Sequence, residues 1–148
     1  MEQGKLNLII QAVFKEIEVQ IPNYKNSPED WNISEGNVAM CIITEEGAIY
    51  GKLFGTDKIR QRQFYKVAWT KASQVWITGH STGDYEKIVF GGGMDPEDAP
   101  IELPDLIGWV GVQPLTLADG TLLSIGFSEF SGFNDIAIVK EAFKKVTS

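Results

Sequence analysis

The chain has 148 residues, 43% of them hydrophobic, and a formal net charge of −7. That length suits one domain spanning 1–148, and the acidic balance argues against nucleic acid and anionic membrane surfaces, which call for a basic face. No apolar run is long enough for a membrane span, the start lacks the basic region and long apolar core of a signal peptide, and the single cysteine, Cys41, excludes an intrachain disulfide, so a reducing, cytoplasmic setting fits.

In chain order, Leu6, Ile10, Val13, Ile17 and Ile21 recur at helical spacing, with Lys15, Glu16 and Glu18 on the other side, and Pro22 stops the helix. Asn23 to Asn37 reads as a polar connection containing Pro28 and Trp31, with Trp31 as a plug that pins it to the body. Val38 to Thr44 is an apolar strand with no polar alternation, so both of its faces are expected to be covered. Glu45-Glu46-Gly47 supplies a turn, and Ala48 to Phe54 returns as the partner strand. Cys41 sits inside the first strand with no basic neighbour, the setting of an inert buried thiol.

Gly55 to Ser81 holds the longest helix, capped by Thr56 or Asp57. Phe64, Ala68, Ala72, Val75 and Trp76 form its expected buried stripe, and Arg60, Gln63, Lys71 and Gln74 a polar face. Tyr65, Trp69 and Trp76 make an aromatic row at spacings of four and seven, suited to core closure, a subunit contact or a ligand wall. His80, the lone histidine, follows the helix between Gly79 and Gly83; it cannot build a zinc site by itself, so no metal is expected. A short strand is expected at Ile88 to Phe90. Gly91-Gly92-Gly93 lacks the lysine and hydroxyl residue of a phosphate loop. The acidic residues from Asp95 to Asp105 do not match calcium-loop spacing and read as a solvated face.

The last third pairs two alternating runs, Val110 to Leu117 and Leu122 to Phe127, through an Asp119-Gly120 turn that tolerates positive φ. A glycine corner, Ser131-Gly132, leads to a helix whose start is marked by Asn134-Asp135, a cap and a carboxylate at the positive end of the dipole. Ile136, Val139, Phe143 and Val146 share the face expected to cover the sheet, and Lys144 and Lys145 suit the last turn. The first and last helices can share one face of the sheet, leaving the long helix for the other.

The ordered set Ala68-x-x-Lys71-Ala72, Gly111-x-x-Pro114-Leu115, Asp119-Gly120, Ile125-Gly126-Phe127-Ser128 and Gly132-x-x-Asp135-Ile136-Ala137, spread from Lys5 to Val146, resembles the GlcG/HbpS-like family of haem-degrading or haem-binding domains, also found at the C-terminus of PduO-type cobalamin adenosyltransferases. The resemblance implies an α+β fold, a profilin-like α/β/α sandwich with a central antiparallel sheet, and assembly as a homodimer or larger ring. The chain departs from the family at Trp109 and Gln113, in a corner expanded to Ser128-Glu129-Phe130-Ser131-Gly132, and in the long acidic loop from Gly91 to Leu106.

Two functions follow as expectations. The first is a small-molecule-binding protein for haem or another flat hydrophobic cofactor, with Trp69, Trp76, His80, Trp109, Phe130 and Phe133 toward the ligand. The second is a cofactor-independent enzyme of isomerase, cyclase or lyase type, acting on a small hydrophobic substrate, with Lys71, Glu129 and Asp135 as acid-base groups.

Overall fold

A computed structural model describes residues 1–79, 114–128, 130 and 132–148, with the backbone only at 132 and 133. The expectations for His80, the strand at Ile88 to Phe90, the glycine and acidic stretch that follows, Trp109, Glu129 and the side chain of Phe133 lie outside the described residues.

The elements run α1 (Gln3–Gln20), a 3-10 turn (Ile21–Tyr24), α2 (Pro28–Ser34), β1 (Val38–Thr44), β2 (Ile49–Phe54), α3 (Lys58–Thr78), β3 (Pro114–Thr116), β4 (Leu122–Ser128) and α4 (Gly132–Thr147). The four described strands form one antiparallel sheet in the order β2-β1-β4-β3. Helix α3 packs on β1 and β4 over one face, and α1 pairs with α4 over the other. The α+β class and the helix–sheet–helix layering expected from the sequence therefore hold.

Strand β1 is buried along its whole length, and alternation divides it between two cores. Val38, Met40 and Ile42 join Leu6, Ile10, Val13, Ile17, Phe127, Ile138 and Phe143 under α1 and α4. Ala39, Cys41 and Ile43 meet Phe64, Ala68 and Ala72 of α3. The α3 side is built of small residues, so the helix backbone sits directly on the sheet. A Cβ at Gly126 would overlap the carbonyl of Ala68, which makes glycine obligatory there.

Local signals explain the ends of the elements. The Asp57 carboxylate caps α3 by accepting from the amides of Ile59 (3.0 Å) and Arg60 (3.2 Å). Gly79 closes the helix at φ +72°. The β3–β4 turn is closed by Leu117 N donating to Thr121 O at 2.8 Å, with Gly120 at φ +91°.

Three expectations are corrected. The connection from Asn23 to Asn37 contains a helix, α2; Pro28 at its first turn and Glu29 and Asp30 at its positive end are the signals for it. Trp31 on α2 packs against the main core as the plug expected of it. Lys71 and Gln74 are buried rather than on a polar face, and Trp76 is exposed rather than in the buried stripe. On α4 the inward set is Asp135, Ile138, Val139, Ala142 and Phe143, with Ile136 and Val146 only half-buried, because Asp135 turns inward toward a buried partner.

Candidate functional site

The centre of the site is an ion pair between the two helical layers. Lys71 on α3 is 4% exposed and Asp135 in the first turn of α4 is 1% exposed. The Lys71 ammonium donates to Asp135 Oδ2 at 3.1 Å and to the carbonyl of Phe127, near the end of β4, at 2.9 Å. The other carboxylate oxygen, Oδ1, accepts from the Phe130 amide at 2.8 Å. The ion pair thus ties α3, the last residues of β4, the corner and α4 together, and the α4 dipole favours the carboxylate's negative charge. An ammonium has three donors; beyond Phe127 and Asp135, the third has no acceptor among the described residues.

Further buried polar groups surround the pair. Gln74 lies one turn along α3 and Ser128 one residue past Phe127, both about 1% exposed. Asn134, next to Asp135, donates to the buried carboxylate of Asp30 at 2.6 Å, which joins α2 to the start of α4. Tyr24 stacks on Phe130 with ring centroids 4.7 Å apart, and Phe130 also meets Phe127 at 5.6 Å. Burial pushes the Tyr24 phenol up from its ordinary value, helped by the negative charges of Asp30, Glu141 and Asp135.

The residues singled out from sequence separate into two places. Lys71, Asp135 and Phe130 come together, with Phe130 inside the aromatic stack of the main core. Trp69 and Trp76 lie on the outer side of α3, 41% and 45% exposed, away from the ion pair. Trp76 covers the β1–β2 turn, its indole N–H donating to Glu45 O at 3.4 Å. Asp30 and Tyr24 were missed by sequence reasoning, Asp30 being detectable only as an acidic residue at the start of a short helix; Asn134, expected as the cap of the last helix, lies inside its first turn, because α4 already begins at Gly132, and bonds Asp30 instead. Potential sulfur ligands in β1 are closed off: Met40 and Cys41 are fully buried, and the Tyr65 hydroxyl donates to Cys41 Sγ at 3.7 Å. Burial raises the Cys41 thiol above its ordinary value, so it is no thiolate ligand or nucleophile.

By sequence the chain matches no family model and no curated protein. By structure it is similar to the Klebsiella pneumoniae protein ORFY of the DUF336 family, with a TM-score of 0.67 at 11% identity over 95% of this chain and 89% of that one. It is also similar to PduOC determined as a haem complex, with a TM-score of 0.62 at 12% identity over 97% and 93% of the two chains. A doubly substituted HbpS from Streptomyces reticuli follows, with a TM-score of 0.59 at 16% identity over 93% and 85%. These likenesses are of fold, and the fold is the one shared by the GlcG/HbpS-like structures that the sequence resembles.

Proposed function

We propose that this protein binds a small, flat hydrophobic molecule, with haem as the first candidate, against the outer flank of α3. The observation that carries the reading is the pair of exposed indoles, Trp69 and Trp76, seven residues apart on one side of a helix. Large aromatic planes left at the surface are suited to stacking a planar ligand or meeting another subunit. The fold shared with a haem complex supports the choice of ligand. His80 directly follows the α3 cap Gly79 in sequence and is assigned as the axial ligand; Trp109 and Phe133 are assigned to the ligand's surroundings. When bound, haem would supply redox or oxygen chemistry; the protein's own part is to stack it and limit its exposure to water.

Titration with haem tests this directly. A saturable Soret shift with matching quenching of tryptophan emission is expected, with the quenching reduced in Trp69→Ala and the Soret position changed in His80→Ala. No shift and no quenching would reject it.

A second reading, a cofactor-independent enzyme, is favoured by one observation: the buried Lys71 has a donor with no acceptor among the described residues. In that reading Lys71 and Asp135, with Glu129, move a proton on a small hydrophobic carbonyl compound. Solvent deuterium appearing in such a compound, and not with Lys71→Met, would support it over the first; no exchange in any compound tried with the wild type would sink it.

A further inference from the structure

Among the described residues the sheet has an open edge at β2, and its geometry can be read from the register. Thr44 N donates to Ala48 O at 2.9 Å, which makes Ile42 and Tyr50, Met40 and Lys52, and Val38 and Phe54 the hydrogen-bonded pairs of the β1–β2 ladder. The alternate residues Ile49, Gly51 and Leu53 therefore turn their amides and carbonyls away from β1. No described strand pairs with them.

Above this edge runs α3. Tyr65 lies over Gly51, where a Cβ would sit 2.9 Å from its ring. Between helix and edge is a groove of about 860 Å³ lined by Gly51, Lys52, Leu53, Arg62, Tyr65 and Lys66. Ile49 and Leu53 are 52% and 45% exposed beside it. Lys52, Arg62 and Lys66 are exposed, and none of the three forms an ion pair among the described residues. Nearby Arg60, by contrast, is paired with both Glu35 and Asp57. A single lysine commonly protects an edge strand from pairing. Lys52 turns to the opposite face of the sheet, with Tyr50 and Phe54, but Arg62 and Lys66 are two unpaired cations beside two exposed aliphatic side chains on the α3 side, which in a chain of net charge −7 goes beyond that protection.

We propose that this groove receives an acidic, extended peptide segment of a partner protein as an added strand on β2. The backbone groups of Ile49, Gly51 and Leu53 supply the hydrogen bonds. On the α3 face Ile49, Leu53 and Tyr65 take its apolar side chains and Arg62 and Lys66 meet its carboxylates, while Lys52 meets carboxylates on the opposite face. A second copy of this chain is the poorer occupant: a two-fold axis at Gly51 would bring Lys66, adjacent to Tyr65, toward its own duplicate. The proposal is independent of the haem reading.

The probe is a fluorescent octapeptide of paired residues, Glu-Glu-Val-Val repeated twice, which puts both residue types on each face of an added strand, followed by anisotropy. Saturable binding is expected, weakened about tenfold or more by Lys66→Glu or Arg62→Glu, whose folding is verified by unchanged thermal melts. A valine–lysine octapeptide should not bind. Of two versions N-methylated at alternate residues, one should bind like the parent and the other should fail, because only alternate amides face the edge. Equal binding of both methylated versions, binding of the lysine peptide, or displacement by free glutamate at equal carboxylate concentration would overturn the proposal. So would absence of binding, or a dimer in light scattering that Lys66→Glu alters, which would assign the edge to a second copy.

Discussion

Lys71 and Asp135, 64 residues apart in the chain, meet at 3.1 Å in the interior, where the lysine also holds the Phe127 carbonyl, one residue before the end of β4. Removing one partner of a buried pair strands the other's charge, at a cost of about 3–5 kcal/mol. Asp135→Leu should cost more than Lys71→Met, because it also strips the Phe130 amide of its acceptor. The double variant should be more stable than the sum of the two predicts. Urea unfolding of the four proteins measures this; strict additivity would show that the pair contributes nothing as a pair.

Glycine substitutions should have opposite signs at two positions. At Gly126 a methyl group overlaps the Ala68 carbonyl, so Gly126→Ala should destabilise by at least about 3 kcal/mol. Gly4 lies in α1, and a methyl there meets only the Glu2 carboxylate at 3.7 Å. Gly4→Ala should stabilise by about 0.5 kcal/mol, by limiting the unfolded chain. Thermal melts of both variants check the pair.

Asn37 joins α2 to the start of α3. Its Oδ1 accepts from the amides of Thr56 (3.0 Å) and Asp57 (2.9 Å), while its Nδ2 donates to Ser34 O at 3.0 Å. Asn37→Ala orphans these backbone groups in a part-buried setting and should cost about 1–3 kcal/mol. Hydrogen exchange should also quicken at Thr56 and Asp57 ahead of the rest of α3.

The Tyr65 phenol is pushed from its ordinary value of 10 up to about 12, first by burial and then by its contact with Cys41. The unfolded chain therefore loses this proton before the folded one does. The associated stability is intact below pH 10 and lost as pH rises through about 12. Burial of the Cys41 thiol acts in the same direction. Denaturant midpoints should fall at alkaline pH, and Tyr65→Phe should remove part of that slope.

Trp69 and Trp76 also bear on assembly. With Ile77 they leave large apolar side chains exposed along one helix, and the homodimer that the sequence resemblance implies would bury part of that flank, with the ligand site shared between subunits. Light scattering at micromolar concentration should give a mass above the monomer that Trp69→Glu lowers. A monomer mass in both proteins would reject the interface.

Much of the fold was legible because periodicity and turn chemistry are local. Period-two and period-3.6 patterns located β1, β2, β4, α1 and α3, and Asp57 and Asp119-Gly120 acted where their chemistry requires. α2 was hidden: its seven residues are too few for a hydrophobic period to emerge, and its start signals sit in a polar stretch.

The amino-acid pattern determined the elements other than α2, the sheet–helix layering and the inward stripe Phe64, Ala68, Ala72 and Val75, because those depend on apolar spacing. Tertiary structure alone decided that Lys71 turns in and Trp76 turns out. Side-chain polarity predicts the reverse. A lysine is stable inside only when an acceptor is brought to it, and Asp135 arrives from the far end of the chain. A tryptophan stays outside when the sheet beneath is already covered by small residues, as Ala68 and Ala72 cover it here, directly over Gly126. Both outcomes depend on contacts between distant residues, which no spacing within one helix encodes.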